Sequence, residues 1–425
     1  MRSIRQQTLD LSPLSASRDF RLLLAGSAVS AMGSGLTRVA IPLQVYALTN
    51  SSWKVGLVGA VSIGPVLLSS ILGGALADIS DRRRILLVTL LVGAVLSLSL
   101  TINVAAGKAP ASGDNAGRGS LVALYVLAVM VGVNGAFASP ANRSAVPMLL
   151  PAAQLPAAQA LQMFVYTGAG VIAPAAAGLL YASVGPAWTY GLDALSFGAC
   201  FVVVLGMQSI PKGNEEERFH PGLVLDGFRS LRGRHAVQGS FVADLIAMVF
   251  GMPLALFPAI AAQRFGGRPK LVGLLYAALP FGMMVAAALS GWTRRVHRYG
   301  RVLVGSIVGW GIAITVVGLV DSVALTLGCL ALAGAADAVS GVARTAMLQL
   351  ATPPGLQGRM QGVGMAVWIT GPYLGDVEAG GVAALTSVDA SIVIGGVACV
   401  AAIALLAALR PAFAQFDSHD VGVAD

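Results

Sequence analysis

The sequence predicts an all-α integral membrane protein. We expect about twelve transmembrane helices in two six-helix halves related by a pseudo-two-fold axis, with both termini cytoplasmic. Three observations favour this fold class: a high apolar content, recurring apolar stretches, and arginines in alternate loops. Hydrophobic residues make up 56% of the 425 residues and charged residues only 11%, whereas a soluble domain has about 25% charged residues. At a mean hydropathy of +0.80, the chain carries more apolar surface than one water-soluble core can bury.

The apolar stretches define the predicted helices, because a membrane helix needs about 20 mainly apolar residues. We number the predicted spans 1 to 12: 21–46, 55–77, 85–106, 120–141, 157–182, 187–208, 237–262, 271–291, 302–320, 323–345, 362–386 and 388–409. They divide the chain into a cytoplasmic segment (1–20), a first half (21–208), a central loop (209–236), a second half (237–409) and a tail (410–425).

Lysines and arginines set the predicted orientation, because they are retained on the cytoplasmic side. Most of them lie in the segments that this topology places inside, and the outer loops hold only Lys54, Lys108, Arg118, Arg264, Arg268 and Lys270. The net charge of +8 is therefore interpreted as positive inner loops. Nucleic-acid binding is not expected, since no aromatic residues interleave with the basic runs. We expect a monomer in the cell membrane, surrounded by lipid.

Cysteines and histidines predict neither a disulfide framework nor a metal site. Cys200, Cys329 and Cys399 each lie inside an apolar stretch, and the four histidines lie in polar loops or the tail. We therefore expect no metal and no cofactor. The chain has no nucleophile–base constellation and no Gly-x-x-x-x-Gly-Lys phosphate loop. An enzyme is not expected, and neither is a receptor with a soluble signalling domain.

A repeat relates the two halves. One basic run follows span 2 (Arg82–Arg84) and another follows span 8 (Thr293–Arg301), while Arg143 and Arg344 follow spans 4 and 10. Each pair is separated by about half the chain, which is typical of a duplicated transporter. Arg143 and Arg344 have two interpretations. They could be symmetric partners that help to close the cytoplasmic side, or they could be retained only as markers of topology.

The run between spans 2 and 3 carries the most specific motif. It resembles the hairpin motif of the major facilitator superfamily at four positions: Gly74, Asp78, Arg82 and Arg83. It departs at Ile79 and Asp81, where a base and a glycine are usual in the family. The resemblance implies a cytoplasmic gate in which Asp78 and the arginines latch the inner side. The alternative is that the arginines only mark topology.

Further segments resemble the enterobactin-exporter branch of this superfamily, which shares features with drug-efflux transporters: Trp53–Gly56, Pro186–Tyr190, Leu274–Pro280 and Thr345–Gln349. In span 5, Gly168, Gly170, Pro174 and Gly178 loosely resemble the antiporter motif, with Ala173 where glycine is expected. The resemblance favours export over uptake. Close helix packing without directional meaning is the alternative.

Charged residues inside the spans are candidate coupling or substrate groups, because each costs at least about 2.5 kcal/mol to insert. Asp376 and Glu378 lie near the middle of span 11. Two residues apart on a helix, they point about 200° apart, so only one is expected to face a cavity. Burial favours the protonated form of a carboxyl group, and such a group can carry a proton across. An interhelical hydrogen bond or ion pair is the alternative.

Four other charged residues inside the predicted spans are candidates of the same kind. Asp337 in span 10 has small neighbours and fits a close helix contact, and Asp244 in span 7 could pair with a cytoplasmic base. Arg38 in span 1 could bind an anionic substrate, pair with an acid or snorkel outward. The resemblance makes spans 3, 6, 9 and 12 peripheral, so Asp193 in span 6 is expected to be structural.

The predicted function is secondary active transport, with proton-coupled export of a siderophore or drug-like small molecule by alternating access. Two alternatives stay open: a multidrug or macrolide efflux protein with no siderophore role, and a small-molecule uptake transporter.

Overall fold

A computed structural model gives the fold. It describes residues 10–107, 116–208, 231, 233–289, 291, 296–353 and 356–418, without the side chains of 75, 77–79, 116–120 and 358–359. All regular structure in these ranges is helical, which satisfies backbone hydrogen bonds within each segment, as the bilayer requires. The predicted central loop lies mostly outside the described residues.

The first six spans form helices at Arg18–Thr49, Ser52–Ile79, Arg82–Ala106, Ala116–Leu149, Leu155–Ser183 and Pro186–Leu205. Span 7 consists of an inner helix, His235–Gly251, a 3-10 turn, Leu254–Leu256, and an outer helix, Phe257–Arg264. Spans 8 to 12 form helices at Pro269–Ala288, Tyr299–Leu319, Val323–Leu350, Gln357–Leu385 and Val388–Leu409. Short helices at Ser12–Ala16 and Pro411–Ala414 flank the bundle.

Among the described residues, eleven segments are long and apolar enough to cross a membrane. The remaining predicted span, span 11, forms the helix Gln357–Leu385, which is long enough but more polar, since it carries Asp376 and Glu378 besides Gln and Thr residues. The predicted fold class, all-helical and membrane-spanning, is confirmed.

The chain separates into two compact units whose border is not the central loop alone. The first unit holds the described residues up to Ile41 and from Gly64 to the end of span 6. The second holds Pro42–Ile63 and the described residues from span 7 onward. The outer ends of spans 1 and 2 therefore belong to the second unit, although the sequence places them in the first half.

In the first unit, Asp193 joins spans 1, 3 and 6. Its Oδ2 accepts hydrogen bonds from the Thr37 hydroxyl (2.5 Å) and the Ser97 hydroxyl (2.8 Å). Span 1 approaches at Gly33, where an added Cβ would overlap Ser196. Asp193 is 2% exposed, so these bonds replace the water that a buried carboxylate loses. The geometry is that of a structural junction.

In the second unit, glycines let spans 8 and 10 touch through their backbones. A Cβ added at Gly282 would overlap the Ala331 carbonyl, and one added at Gly334 would overlap the Leu279 carbonyl. Such close approach is the usual way in which membrane helices gain contact energy, because lipid and side chains are equally apolar.

At the outer end of this unit, Arg264 joins spans 7, 9 and 12. Its guanidinium donates to the carbonyls of Val317, Gly318 and Val320 at 2.6–2.9 Å and contacts the Asp389 carboxylate at 2.6 Å. These are carbonyls that a helix end leaves without partners. The Arg264 side chain is 6% exposed, so it acts as a buried helix cap.

Candidate functional site

Span 7 is interrupted between its inner and outer helices. The inner helix ends at Gly251 and the outer helix begins at Phe257, with Pro253 between them. Proline cannot donate a backbone hydrogen bond, and broken helices at membrane depth occur where protein or water satisfies the freed groups. The polar groups of this break must therefore find partners on neighbouring spans.

Three spans of the second unit supply those partners. Asp376 of span 11 accepts a hydrogen bond from the Ala255 backbone N–H through Oδ1 (2.9 Å). The Tyr276 hydroxyl of span 8 donates to the Leu254 carbonyl (2.9 Å), and the Trp310 indole of span 9 donates to the Gly251 carbonyl (2.7 Å). One of the predicted coupling residues thus lies directly on the span 7 break.

Glycines bring the Asp376 backbone against two other helices. An added Cβ at Gly375 would overlap the Met248 carbonyl of span 7, and one at Gly56 would overlap the Asp376 carbonyl from span 2. Gly59 of span 2 would place a Cβ 3.2 Å from the Asp376 Cβ. Asp376 is therefore held in place by backbone contacts on two sides, and its carboxylate has little freedom to leave span 7.

Glu378 has different surroundings, as the 200° separation predicts. It is half-buried and makes no hydrogen bond or ion pair with any described residue. A membrane-embedded acid without a partner is costly as an anion. The two acids of span 11 therefore differ: Asp376 is bonded to span 7, and Glu378 has no partner among the described residues.

Arg344 brings together two other predicted site residues. Its Nη1 forms an ion pair with Asp244 of span 7, and its Nη2 lies 3.7 Å from the Asp337 carboxylate, two turns earlier on span 10. The side chains of Asp244, Arg344 and Asp337 are 9%, 18% and 29% exposed. This triad holds two carboxylates around one guanidinium, so one proton can be bound or lost without removing the ion pair.

Arg143 and Arg344 are equivalent in sequence but not in surroundings. Arg143 is exposed and has no hydrogen bond or ion pair among the described residues, whereas Arg344 is paired with acids. Arg38 in span 1 is likewise exposed, and it has no hydrogen bond or ion pair among the described residues. The site roles predicted for these residues stay predictions.

The hairpin after span 2 is built around its arginines. Asp81 caps span 3 by accepting from the Arg83 N–H (2.9 Å), and Arg83 donates to the Leu205 carbonyl at the end of span 6 (2.7 Å). Arg82, only 4% exposed, donates to Ser144 of span 4. Gly74 has open space around it, and the Asp78 side chain lies outside the described residues. Within the first unit these arginines bind helices together, and the gate stays a prediction.

The glycines and proline of span 5 lie partly at a helix contact. Pro174 and Gly178 are buried, and Gly170 is half-buried. Ala173 packs against span 1, where an added Cβ at Gly35 would overlap it. Inside the first unit this segment serves close packing, and the antiporter motif stays a prediction.

Sequence reasoning missed the partners that complete the site. Ala255, Tyr276 and Trp310 are apolar or aromatic residues inside apolar stretches, and nothing marks them individually. Pro253 was the available signal, because a proline in a span must leave backbone groups for neighbours to satisfy.

Comparison with known proteins agrees with this architecture. The family model described as transmembrane secretion effector matches residues 8–423. The enterobactin exporter EntS of Escherichia coli O1:K1 / APEC is 31% identical over 385 residues, which cover 90% of this chain and 89% of the relative. EntS of Shigella boydii serotype 18 matches with the same identity and coverage.

Solved structures show the same fold at low identity. The nucleoside transporter NupG has a TM-score of 0.72 at 12% identity, covering 92% of this chain and 99% of NupG. A bacterial homologue of the iron transporter ferroportin, in the inward-facing state, has a TM-score of 0.68 at 15% identity, covering 94% and 99%. The chain therefore belongs to the transmembrane secretion effector family of major facilitator transporters, and it is a multi-pass protein of the cell membrane.

Proposed function

We propose that this transporter exports a siderophore or drug-like small molecule in exchange for protons, by alternating access. Export is supported by the family description and by relatives whose printed name is enterobactin exporter. Proton exchange is supported by the acids embedded in spans 7, 10 and 11.

The hydrogen bond between Asp376 and Ala255 is the observation that carries the proposal. The neighbouring amides of the 3-10 turn donate to backbone carbonyls, whereas the Ala255 N–H donates to the Asp376 side chain. A charged acceptor forms a bond about twice as strong as a neutral one. Protonation of Asp376 therefore loosens the span 7 break, and deprotonation tightens it. Proton occupancy and the shape of span 7 are linked in this way.

Glu378 complements Asp376 in the proposed cycle. With no described partner to stabilise its anion, it exchanges its proton or contacts substrate as access changes. Two acids on opposite sides of one helix then have separate roles: Asp376 transmits protonation to span 7, and Glu378 meets the transported molecule or proton.

Transport in proteoliposomes tests the proposal. Purified protein is reconstituted with an imposed pH gradient and a pH-sensitive dye, and enterobactin and erythromycin are supplied separately. The parent, Asp376→Asn and Glu378→Gln are compared with Asp321→Asn, which removes an acid that is 92% exposed in an outer loop.

We expect the parent and Asp321→Asn to move substrate against the proton gradient with matching proton flux. Asp376→Asn should let substrate move downhill without proton flux. Transport of erythromycin but not enterobactin supports the alternative of drug efflux. If no compound drives proton movement and both span 11 variants behave as the parent, proton exchange through span 11 is refuted.

A further inference from the structure

Arg38 is an exposed cation in the membrane-spanning part of the first unit. It has no hydrogen bond or ion pair among the described residues, and an intramembrane arginine costs at least about 2.5 kcal/mol on insertion scales. Asp193 forms no ion pair with Arg38, and its Oδ2 accepts hydrogen bonds from Thr37 and Ser97 instead. The contacts that the described residues of its own unit make do not offset the cost of inserting Arg38 into the membrane.

Arg38 shares one face of span 1 with Ser27 and Ser34. Eleven residues separate Ser27 from Arg38, which amounts to three helical turns and a rotation of only about 20°. Ser34 lies one turn before Arg38 on the same face. The polar residues Ser27, Ser34 and Arg38 are named here the span 1 strip, which extends for about 16 Å.

Side chains from spans 4 and 5 continue the strip at its inner end. Asn142 of span 4 donates to the Ser27 hydroxyl (2.9 Å), and Gln162 of span 5 donates to the Asn142 carbonyl oxygen (3.5 Å). Tyr166, one helical turn after Gln162 on span 5, is 44% exposed. The strip is thus continued at its inner end by neutral side chains that both donate and accept hydrogen bonds.

Among the described residues of the spans, the charged side chains without a partner differ in sign between the two units. In the described part of the first unit, the spans offer Arg38 and Arg143 as free charges. In the second unit the acids of the triad and of span 11 outnumber Arg344. An anionic group is therefore attracted to the unpaired arginines of the first unit, whereas protons favour the acids of the second.

We propose that the span 1 strip, with Asn142, Gln162 and Tyr166, binds the anionic, oxygen-rich end of an amphiphilic substrate. Arg38 contacts the negative charge directly, and the neutral side chains bind hydroxyl or carbonyl oxygens. The inference rests on the proposed transport function and adds the charge class of the substrate. It assigns recognition of the anionic end of the substrate to the first unit and proton binding to the acids of the second.

Binding of three small probes of one size tests the inference. Salicylate is an anion, salicylamide is neutral and salicylamine is a cation, and each carries the same ring hydroxyl. Saturation-transfer NMR on the purified full-length protein in detergent measures each affinity, with protein-free micelles as the blank. The variants are Arg38→Gln and Arg38→Lys, beside Arg268→Gln, which makes the same charge change at an exposed position of an outer loop.

We expect the parent and Arg268→Gln to bind salicylate on the order of tenfold more tightly than salicylamide, as one charge-assisted hydrogen bond implies. Salicylamine should bind weakest. Arg38→Gln should abolish the preference for salicylate, and Arg38→Lys should keep part of it, which separates loss of charge from loss of fold.

Equal or absent salicylate binding by the parent, or a preference that survives Arg38→Gln, overturns the inference. The measurement uses no pH gradient. Anion preference without proton flux would therefore refute proton exchange alone, and proton flux without anion preference would refute this inference alone.

Discussion

Replacing Asp244 by asparagine should destabilise the second unit far more than the same change at Asp337. Both carboxylates face Arg344, and at an effective dielectric constant of about 20 a unit charge pair 4 Å apart attracts by about 4 kcal/mol. The Asp244 side chain is 9% exposed, so its change breaks a buried pair and should cost about 3 kcal/mol. Asp337 is 29% exposed and lies 3.7 Å from Arg344, so about 1 kcal/mol is expected.

Reversible unfolding in mixed micelles, with increasing dodecyl sulfate and tryptophan fluorescence as the signal, gives the free energy of unfolding for each variant. Double-mutant cycles with Arg344→Gln then isolate each pair. We expect a coupling of about 2 kcal/mol for Asp244 with Arg344, and under about 1 kcal/mol for Asp337 with Arg344. Equal coupling for the two pairs, or a greater loss at Asp337 than at Asp244, would refute this reasoning.

Two further substitutions test the packing of the second unit by the same unfolding measurement. Gly334→Ala should lower the free energy of unfolding by about 1–3 kcal/mol, because the new Cβ overlaps the backbone of span 8. Gly328→Ala is the control on the same helix. It should be neutral or slightly stabilising, because Gly328 has open space around it. If both substitutions change the free energy of unfolding equally, the close contact between Gly334 and the backbone of span 8 is contradicted. Arg264→Ala should cost about 3 kcal/mol through loss of its buried hydrogen bonds and ion pair, and Arg268→Ala, at an exposed position, less than about 0.5 kcal/mol. If Arg268→Ala lowers the free energy of unfolding as much as Arg264→Ala does, the role of Arg264 as a helix cap is contradicted.

The fold class could be predicted because hydropathy and arginine placement act along the chain, without tertiary information. Most predicted spans coincide with helices of the structure. The interruption of span 7 was harder to predict from the sequence. Pro253 indicates that backbone groups are freed, but only the rotation and depth of span 11 decide that Asp376, rather than Glu378, meets them.

The site was predicted as single residues and not as groups. Asp244, Asp337 and Arg344 were each singled out, yet their association depends on how spans 7 and 10 face each other in a uniformly apolar environment. One signal was available: Asp337 and Arg344 are seven residues apart, so a helix places them on one face. No comparable periodicity connects Asp244 to them.

The outer ends of spans 1 and 2 set a rule for building chimeras from this family. Residues Pro42–Ile63 pack with the second unit, and Gly56 and Gly59 face Asp376 and Tyr373 of span 11. A hybrid joined at the central loop would take residues 42–63 from one parent and span 11 from the other. The contact between them leaves no room for one extra methyl group at Gly56. Exchanging residues 42–63 together with the second half preserves that fit, so the modules that recombine are discontinuous in the gene.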